Sequence, residues 1–318
     1  MRKVRFHTHG GPGALRLDEV PEPVPGAGEV LLRTEVAGVS RTVLPVLRGV
    51  GEVPLPASPG GGVVGRVVAL GPGVDGLRVG QRVGGIAAEP YAELAVASPA
   101  LLTPVPEQVG AADALGLVHG GLVALAALRV GRCEEGESVL VTAAAGGVGH
   151  LIVQLAKTLG AARVVAAVGS PEKAGFLRSL GADEVVSYQD TDWGGPVDLV
   201  LEGAGGEILP RALAALVPFG RLVTLAGSGG TLDAGAVLRS AATVTGLSMG
   251  RLARHRPAVL AEIRAELWRL LADGRVRPVS TVHPLERAAE AVALLESRAN
   301  LGKVVLATAP TTPALTPA

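Results

Sequence analysis

Residues 138–161 read SVLVTAAAGGVGHLIVQLAKTLGA, and this stretch decides the fold. Ser138–Thr142 is a strand-length apolar run, residues 143–149 form a turn of small side chains, and Leu151, Ile152, Leu155 and Leu159 recur at helical spacing. The order is strand, tight turn, helix. A diphosphate approaches the main chain only where side chains leave it bare, and the N–H groups and dipole of a helix N-terminus favour its negative charge. Gly146, Gly147 and Gly149 meet that need, with Val148 between them. The pattern is AxGxxG, with Ala144 where the dinucleotide fingerprint has its first glycine. Taken alone, the string also reads as a glycine-rich turn that only packs a helix on a strand. Its βαβ setting favours the phosphate turn.

That setting extends C-terminally from Ala112. Apolar runs of strand length (SVLVTA, RVVAAV, EVVSY, VDLVLE, RLVTLAG, ATVTGLS) alternate with segments long enough for crossover helices. They predict an α/β domain with a doubly wound, parallel, six-stranded sheet of Rossmann type. The segment PAVLAEIRAELWRLLADG predicts a long amphipathic helix, with Pro257 in its first turn and Gly274 at its C-terminal cap. A further helix, LERAAEAVALLESR, and a strand, KVVLA, follow. With six strands already assigned, these are expected to pack on the first domain. Residues 1–111 read as short β runs (KVRFH, EVLLRTEVAGV, GGVVGRVVAL, QRVGG, YAELAVA) cut by Gly and Pro, an irregular and mostly antiparallel β domain. The expected division is 1–111, completed by 257–309, then 112–256, and a disordered tail over 310–318.

The second strand of the parallel sheet ends at GSPEKAGFL, where NAD-specific sites place a carboxylate for the ribose 2′-hydroxyl. Gly169 and Ser170 occupy that corner instead. Nothing there repels a 2′-phosphate, and Ser170 with Lys173 offers a hydroxyl donor and a cation. NADPH is therefore the expected cofactor, although Glu172 beside them weighs the other way.

Composition removes other classes. The chain has 318 residues, 48% apolar and 2% aromatic, with 29 basic and 29 acidic side chains. Zero formal charge and no basic stripe with interleaved aromatics argue against nucleic acid. The first residues, MRKVRFHTHGGPGALRL, carry no apolar segment behind their charges, and no uninterrupted apolar stretch of spanning length is evident, so a cytoplasmic protein away from membranes is expected. The single cysteine, Cys133, excludes a disulfide framework and any multi-cysteine zinc cluster.

Five strings, VLVTAAAGGVGHLIVQLAKTLGA, GSPEKAGFLRSLGADEVVSY, VDLVLEGAGG, GRLVTLAG and PLERAAEAVALLESRANLGKVVL, resemble in order and spacing the zinc-independent quinone oxidoreductases of the medium-chain dehydrogenase/reductase superfamily. The resemblance covers nearly the whole chain. It implies a GroES-like β domain, a Rossmann domain, a cleft where the nicotinamide lies, and a homodimer through the edge strand at residues 242–247. It implies that Ser170, Lys173 and Tyr188 surround the 2′-phosphate, that Gly205, Gly206, Ala226 and Gly227 line the rest of the groove, and that Asn300 and Lys303 reach toward the cofactor. Tyr188 reads equally as a core aromatic at a strand end.

Departures from the pattern are informative. Where zinc-dependent relatives place a Cys and a His-Glu pair, this chain has AGVSRT and SPGGGVVG, so no catalytic zinc is expected. Gly62 replaces the Glu, and Ser40 stands where the quinone reductases carry an Asn. Ser40, Tyr91 and His119 are the catalytic candidates, while Tyr91 also reads as a packing aromatic and His119 as a structural histidine. The expected activity is hydride transfer from NADPH to a quinone or other α,β-unsaturated carbonyl. An enoyl reductase acting on a thioester or polyketide-type enone, and a non-catalytic NADPH-binding protein, are the alternatives. An alcohol dehydrogenase stands lower, because neither zinc nor a Tyr/Lys base is found.

Overall fold

A computed structural model of the chain describes residues 1–51, 53–225 and 229–308; Ala226, Gly227 and the 310–318 tail therefore lie outside the described residues. The chain divides into two compact units, residues 1–119 with 280–318, and residues 120–279.

In the first unit, Gly and Pro keep the β runs short. β1 (Arg2–Phe6) and β2 (Leu15–Glu19) pair antiparallel as a small sheet. β3 (Val30–Val39) and β4 (Gly61–Leu70) are the long strands, joined antiparallel with two register shifts. β5 (Arg82–Ala87) continues from β4, β7 (Leu102–Pro104) from β5, and β6 (Leu94–Ala97) pairs with β3. A short helix, Val43–Leu47, interrupts this β half in RTVLPVLRG, where no helix was expected.

The parallel sheet of the second unit comprises β8 (Ser138–Thr142), β9 (Arg163–Val168), β10 (Glu184–Ser187), β11 (Val197–Glu202), β12 (Leu216–Thr224) and β13 (Thr243–Gly246). The strand order is β10-β9-β8-β11-β12-β13, which is the doubly wound order with its switch between β8 and β11. Leu140, Val165, Val200 and Leu222 make the centre of its core together with Trp193.

The chain then returns to the first unit. β14 (Ser280–Pro284) lies parallel to β15 (Lys303–Ala307), which pairs antiparallel with β3, and the helix Ala288–Glu296 covers them. The seven-stranded sheet runs β14-β15-β3-β4-β5-β7, with β6 on β3.

The compact units meet at 119/120 and 279/280, whereas the sequence suggests divisions at 111/112 and 256/257. The helix Pro257–Ala272 stays with the second unit: Leu260, Ile263, Leu267 and Leu270 bury one face, and Glu266 pairs with Arg129 on the helix Leu122–Val130. The helical run Ala111–Val130 is also long and apolar enough to cross a membrane by length and composition, although Asp113, His119 and three glycines interrupt its apolar residues. Of its most apolar window, 72% is buried inside the protein, as in a core helix.

Candidate functional site

The apolar side chains of β8 bury it between β9 and β11, and the chain must turn sharply at its end to begin the helix Gly149–Thr158. Ala143 takes that turn with φ of +50°, a strained left-handed conformation for a residue with a Cβ. The Ala143 N–H donates to the Tyr188 hydroxyl at 2.7 Å, which holds the conformation. A Cβ on Gly149 would lie 2.4 Å from the Ala143 carbonyl oxygen and 2.7 Å from Ala144 Cα, so only glycine fits there. A Cβ on Gly120 would lie 2.4 Å from the Gly147 carbonyl, so Gly120 also packs closely on the phosphate turn. The His150 and Leu151 N–H groups bond the Gly146 and Val148 carbonyls within the turn, while the half-buried residues 146–148, two of them glycines, keep the main chain there free of bulky side chains, as a diphosphate requires.

His150, in the first turn of this helix, is fully buried. Its Nδ1 bonds the Gly146 carbonyl at 2.8 Å and its Nε2 accepts the Val279 N–H at 3.0 Å, which makes Nδ1 the protonated nitrogen. Burial depresses its pKa to about 4. One turn on, Gln154 receives the Arg277 N–H at 2.8 Å and donates to the Arg277 carbonyl at 3.1 Å. Together these two side chains tie the phosphate turn to residues 277–279. Read as a lone histidine, His150 gave no sign of this role in the sequence.

Across the switch point, the turn after β11 is organised by Glu202, which is fully buried. One of its oxygens accepts the Ala204 N–H at 2.8 Å, the Gly205 N–H at 2.7 Å and the Thr142 hydroxyl at 3.1 Å. Thr142 in turn accepts the Gly203 and Ala204 amides. Gly205 and Gly206 follow with φ of +70° and +57°. Both turns expected to line the cofactor groove thus meet where the strand order reverses. Sequence reasoning missed Thr142 and Glu202, although each is a polar residue closing an apolar strand just before a small-residue turn.

The third element is the corner after β9. Gly169 is exposed, and a Cβ there would touch the Tyr188 ring at 3.8 Å. Ser170 and Lys173 bracket the short turn Pro171–Lys173, and burial lowers the Lys173 ammonium from its ordinary value. The Tyr188 ring packs with Trp193 in the core, as a strand-end aromatic does, and its hydroxyl accepts the Ala143 N–H of the phosphate turn.

In the first unit, a second cluster forms around the end of β3. Ser40 hydrogen-bonds Thr42 at 2.6 Å. The Lys303 ammonium is buried, with 6% exposure, and donates to the Val39 carbonyl at 2.9 Å. His119 packs against the position of Gly62, where a Cβ would lie 3.4 Å from its ring. Burial, aided by the charge of Lys303, lowers His119 to a pKa of about 4, and burial brings Lys303 down to about 8. Tyr91 does not join this group. It is fully buried among Phe6, Leu47, Leu285 and Val304, its hydroxyl has no partner, and desolvation raises its pKa. A hydroxyl enclosed in aliphatic core cannot touch a substrate, so Tyr91 is a packing residue. Asn300 is buried and donates to the Gly302 carbonyl at 3.0 Å, within its own turn.

Cys133 is pushed up to about 11 by burial and the neighbouring Glu137 carboxylate. Among the described residues, no group of three or more His, Cys, Asp or Glu could hold a metal ion.

The strained turn, the glycines and the helix N-terminus fit a dinucleotide's diphosphate, and the comparisons agree. The family model of the alcohol dehydrogenase GroES-like domain matches residues 26–125, and that of the zinc-binding dehydrogenases matches residues 180–306. Quinone-oxidoreductase QR1 of Triphysaria versicolor, a chloroplastic protein, is 31% identical over 329 residues, covering 96% of this chain and 98% of its own. The chain belongs to the medium-chain dehydrogenase/reductase superfamily, in its quinone oxidoreductase branch. Another member of similar structure is mycobacterial Rv1454c, solved in complex with NADPH, with a TM-score of 0.88 and 32% identity over 96% of this chain and 100% of that one. The spectinabilin polyketide synthase system protein NorB of Streptomyces orinoci is 35% identical over 306 residues, 89% of this chain. The chain spans only 13% of NorB's length. Like its branch, this chain has the fold of an oxidoreductase and the turns for a pyridine nucleotide.

Proposed function

We propose that this chain is an NADPH-dependent, zinc-independent reductase of conjugated carbonyl compounds, quinones or other α,β-unsaturated carbonyls. The observation that carries the reading is the pair of corners flanking the Tyr188 hydroxyl. On one side the Ala143 turn leaves room for a diphosphate; on the other Ser170 and Lys173 present a hydroxyl and a cation, with Gly169 and Ser170 where NAD-specific sites place a carboxylate and Glu172 in the same short turn. NADPH, when bound, supplies the hydride. The chain's own residues hold the cofactor by main-chain amides, and Glu202 and Thr142 fix the facing turn. Conjugation spreads the charge that develops on the acceptor oxygen, so hydrogen-bond donors suffice where a metal would otherwise be needed.

The likeness to NorB supports a second reading, an enoyl reductase acting on a thioester-bound or polyketide-type enone. Purified protein would be given NADPH or NADH with benzoquinones, small enones and enoyl thioesters, and oxidation followed at 340 nm, the reduced-nicotinamide absorbance. Turnover of quinones or small enones with NADPH preferred is the expected result. Turnover of thioesters alone selects the second reading, and tight NADPH binding with no oxidation by any acceptor makes the chain a binding protein. We also infer a homodimer through β13, an edge strand of its sheet; light scattering after gel filtration gives the mass that checks it.

A further inference from the structure

We propose that Arg251, Arg254 and Arg256, on the short helix Met249–His255 and the residue that follows it, hold the phosphates of a coenzyme A thioester, so that enoyl-coenzyme A is among the conjugated carbonyls this chain reduces. The inference rests on the reductase reading above.

The chain as a whole balances 29 basic against 29 acidic side chains, yet no Asp or Glu occurs between Asp233 and Glu262, where Arg239, Arg251, Arg254 and Arg256 all fall. Arg251 and Arg254 stand three residues apart on one helix face, and Arg256 closes the helix. All three are exposed, and among the described residues none of their guanidinium groups forms an ion pair or a hydrogen bond. The nearest carboxylates along the chain are engaged elsewhere, Asp233 with Arg239, and Glu262 and Glu266 with Arg129. Helix stability does not account for the cluster. Cations are favoured in a last turn, where Arg254 lies with Arg256 at the cap, but Arg251 sits in the first turn, where the helix dipole opposes it. A Cβ on Gly250 would meet nothing within 4 Å, so the surface beside Arg251 is open.

This helix leaves the carboxyl edge of the parallel sheet. β13 ends at Gly246, Leu247 still donates to the Thr224 carbonyl at the end of β12, and the Ser248 hydroxyl accepts the Arg251 N–H at 3.4 Å. Doubly wound sheets bind ligands along that edge. The phosphate turn leaves the same edge from β8, three strands away, or about 14 Å at the usual strand spacing. A substrate reaching from there to the arginines needs a long arm ending in concentrated negative charge. Coenzyme A has both, a pantetheine chain and, beyond it, a diphosphate and a 3′-phosphate. Guanidinium groups bind phosphate oxygens in bidentate pairs, and three of them suit several phosphates. A protein partner fits less well, because among the described residues this helix has no exposed large apolar side chain to anchor an interface.

The step balances. Hydride from NADPH forms a C–H bond at the β-carbon of the enoyl thioester, and the displaced π pair moves onto the carbonyl oxygen. A proton from water at the α-carbon then gives the saturated thioester and NADP⁺.

The test titrates coenzyme A and 3′-dephospho-coenzyme A into wild type, Arg251→Ala/Arg254→Ala and Arg251→Glu/Arg254→Glu by calorimetry, with circular dichroism as the check on folding. KM is measured for crotonyl-coenzyme A and for crotonyl-N-acetylcysteamine, the same thioester without phosphate. Wild type should bind coenzyme A at least about fivefold more tightly than its 3′-dephospho form. The charge reversal should raise the crotonyl-coenzyme A KM at least about tenfold, with the alanine pair in between, while the N-acetylcysteamine KM and the NADPH Kd stay within about threefold. If wild type reduces quinones or small enones but the variants leave the crotonyl-coenzyme A KM unchanged, or weaken both thioesters or NADPH equally, only this inference falls. It falls likewise if the variants impair a crotonyl thioester carried on an acidic carrier protein and spare crotonyl-coenzyme A. If wild type reduces no acceptor of any class, the reductase reading falls and takes this one with it.

Discussion

The phosphate turn and the Lys303 cluster hold charge-binding groups in opposite ways. The turn uses main-chain amides from one contiguous segment, locked by glycines that meet backbone atoms. The cluster uses side chains just after β3, in the π turn at Gly116–Gly121 and at the start of β15, far apart in the chain, and Cβ atoms at Gly38 and Gly62 would meet only side chains. A site made of backbone fails abruptly when a Cβ is added. A site made of side chains adjusts.

The sharpest way to break this contrast is a pair of alanines. Gly149→Ala places a methyl 2.4 Å from the Ala143 carbonyl, and NADPH Kd should rise by at least about 100-fold by fluorescence titration. Gly62→Ala meets only the ends of Leu115 and His119, at 3.2 and 3.4 Å, and should leave NADPH Kd unchanged while kcat falls less than about tenfold. Equal effects would dissolve the distinction.

A second comparison uses acid. The buried His150 has a folded pKa of about 4, below the value of about 6.5 for a free histidine, so between these values the unfolded chain binds a proton that the folded chain refuses. Stability is full above pH 6.5 and erodes as pH falls toward 4, by up to about 3 kcal/mol. Urea unfolding at pH 7 and at 4.5 should show a smaller acid loss in His150→Gln than in wild type. Tyr188→Phe leaves the Ala143 N–H without its partner and should weaken NADPH binding about fivefold, with NADH as the control for the 2′-phosphate corner. The smallest effect belongs to Tyr91→Phe. Removing a hydroxyl that has no partner should keep kcat within about twofold and leave thermal stability equal or up to about 1 kcal/mol higher.

The same contrast explains what could be read in advance. The strand, turn and helix at 138–161 are contiguous, and six nearly continuous apolar runs announced a sheet covered on both faces. Which unit the helix Pro257–Ala272 joins is not written locally, because Leu260, Ile263, Leu267 and Leu270 form an apolar face that reads identically whichever unit it covers. β14, STVHP, escaped notice because it is short and half-exposed. Lys303 was named only through family likeness, since its neighbourhood with Ser40 depends on an antiparallel register that no local pattern encodes. His150 was passed over for the same reason, its partner Val279 lying 129 residues away.

Cys133 carries a final consequence for a protein proposed to handle quinones and enones. Such compounds are Michael acceptors, and they alkylate thiolates far faster than thiols. With a pKa near 11, only about one Cys133 in ten thousand is ionised at neutral pH. The chain's one sulfhydryl is thereby held as the less reactive thiol, so electrophiles of the proposed kind should alkylate it slowly.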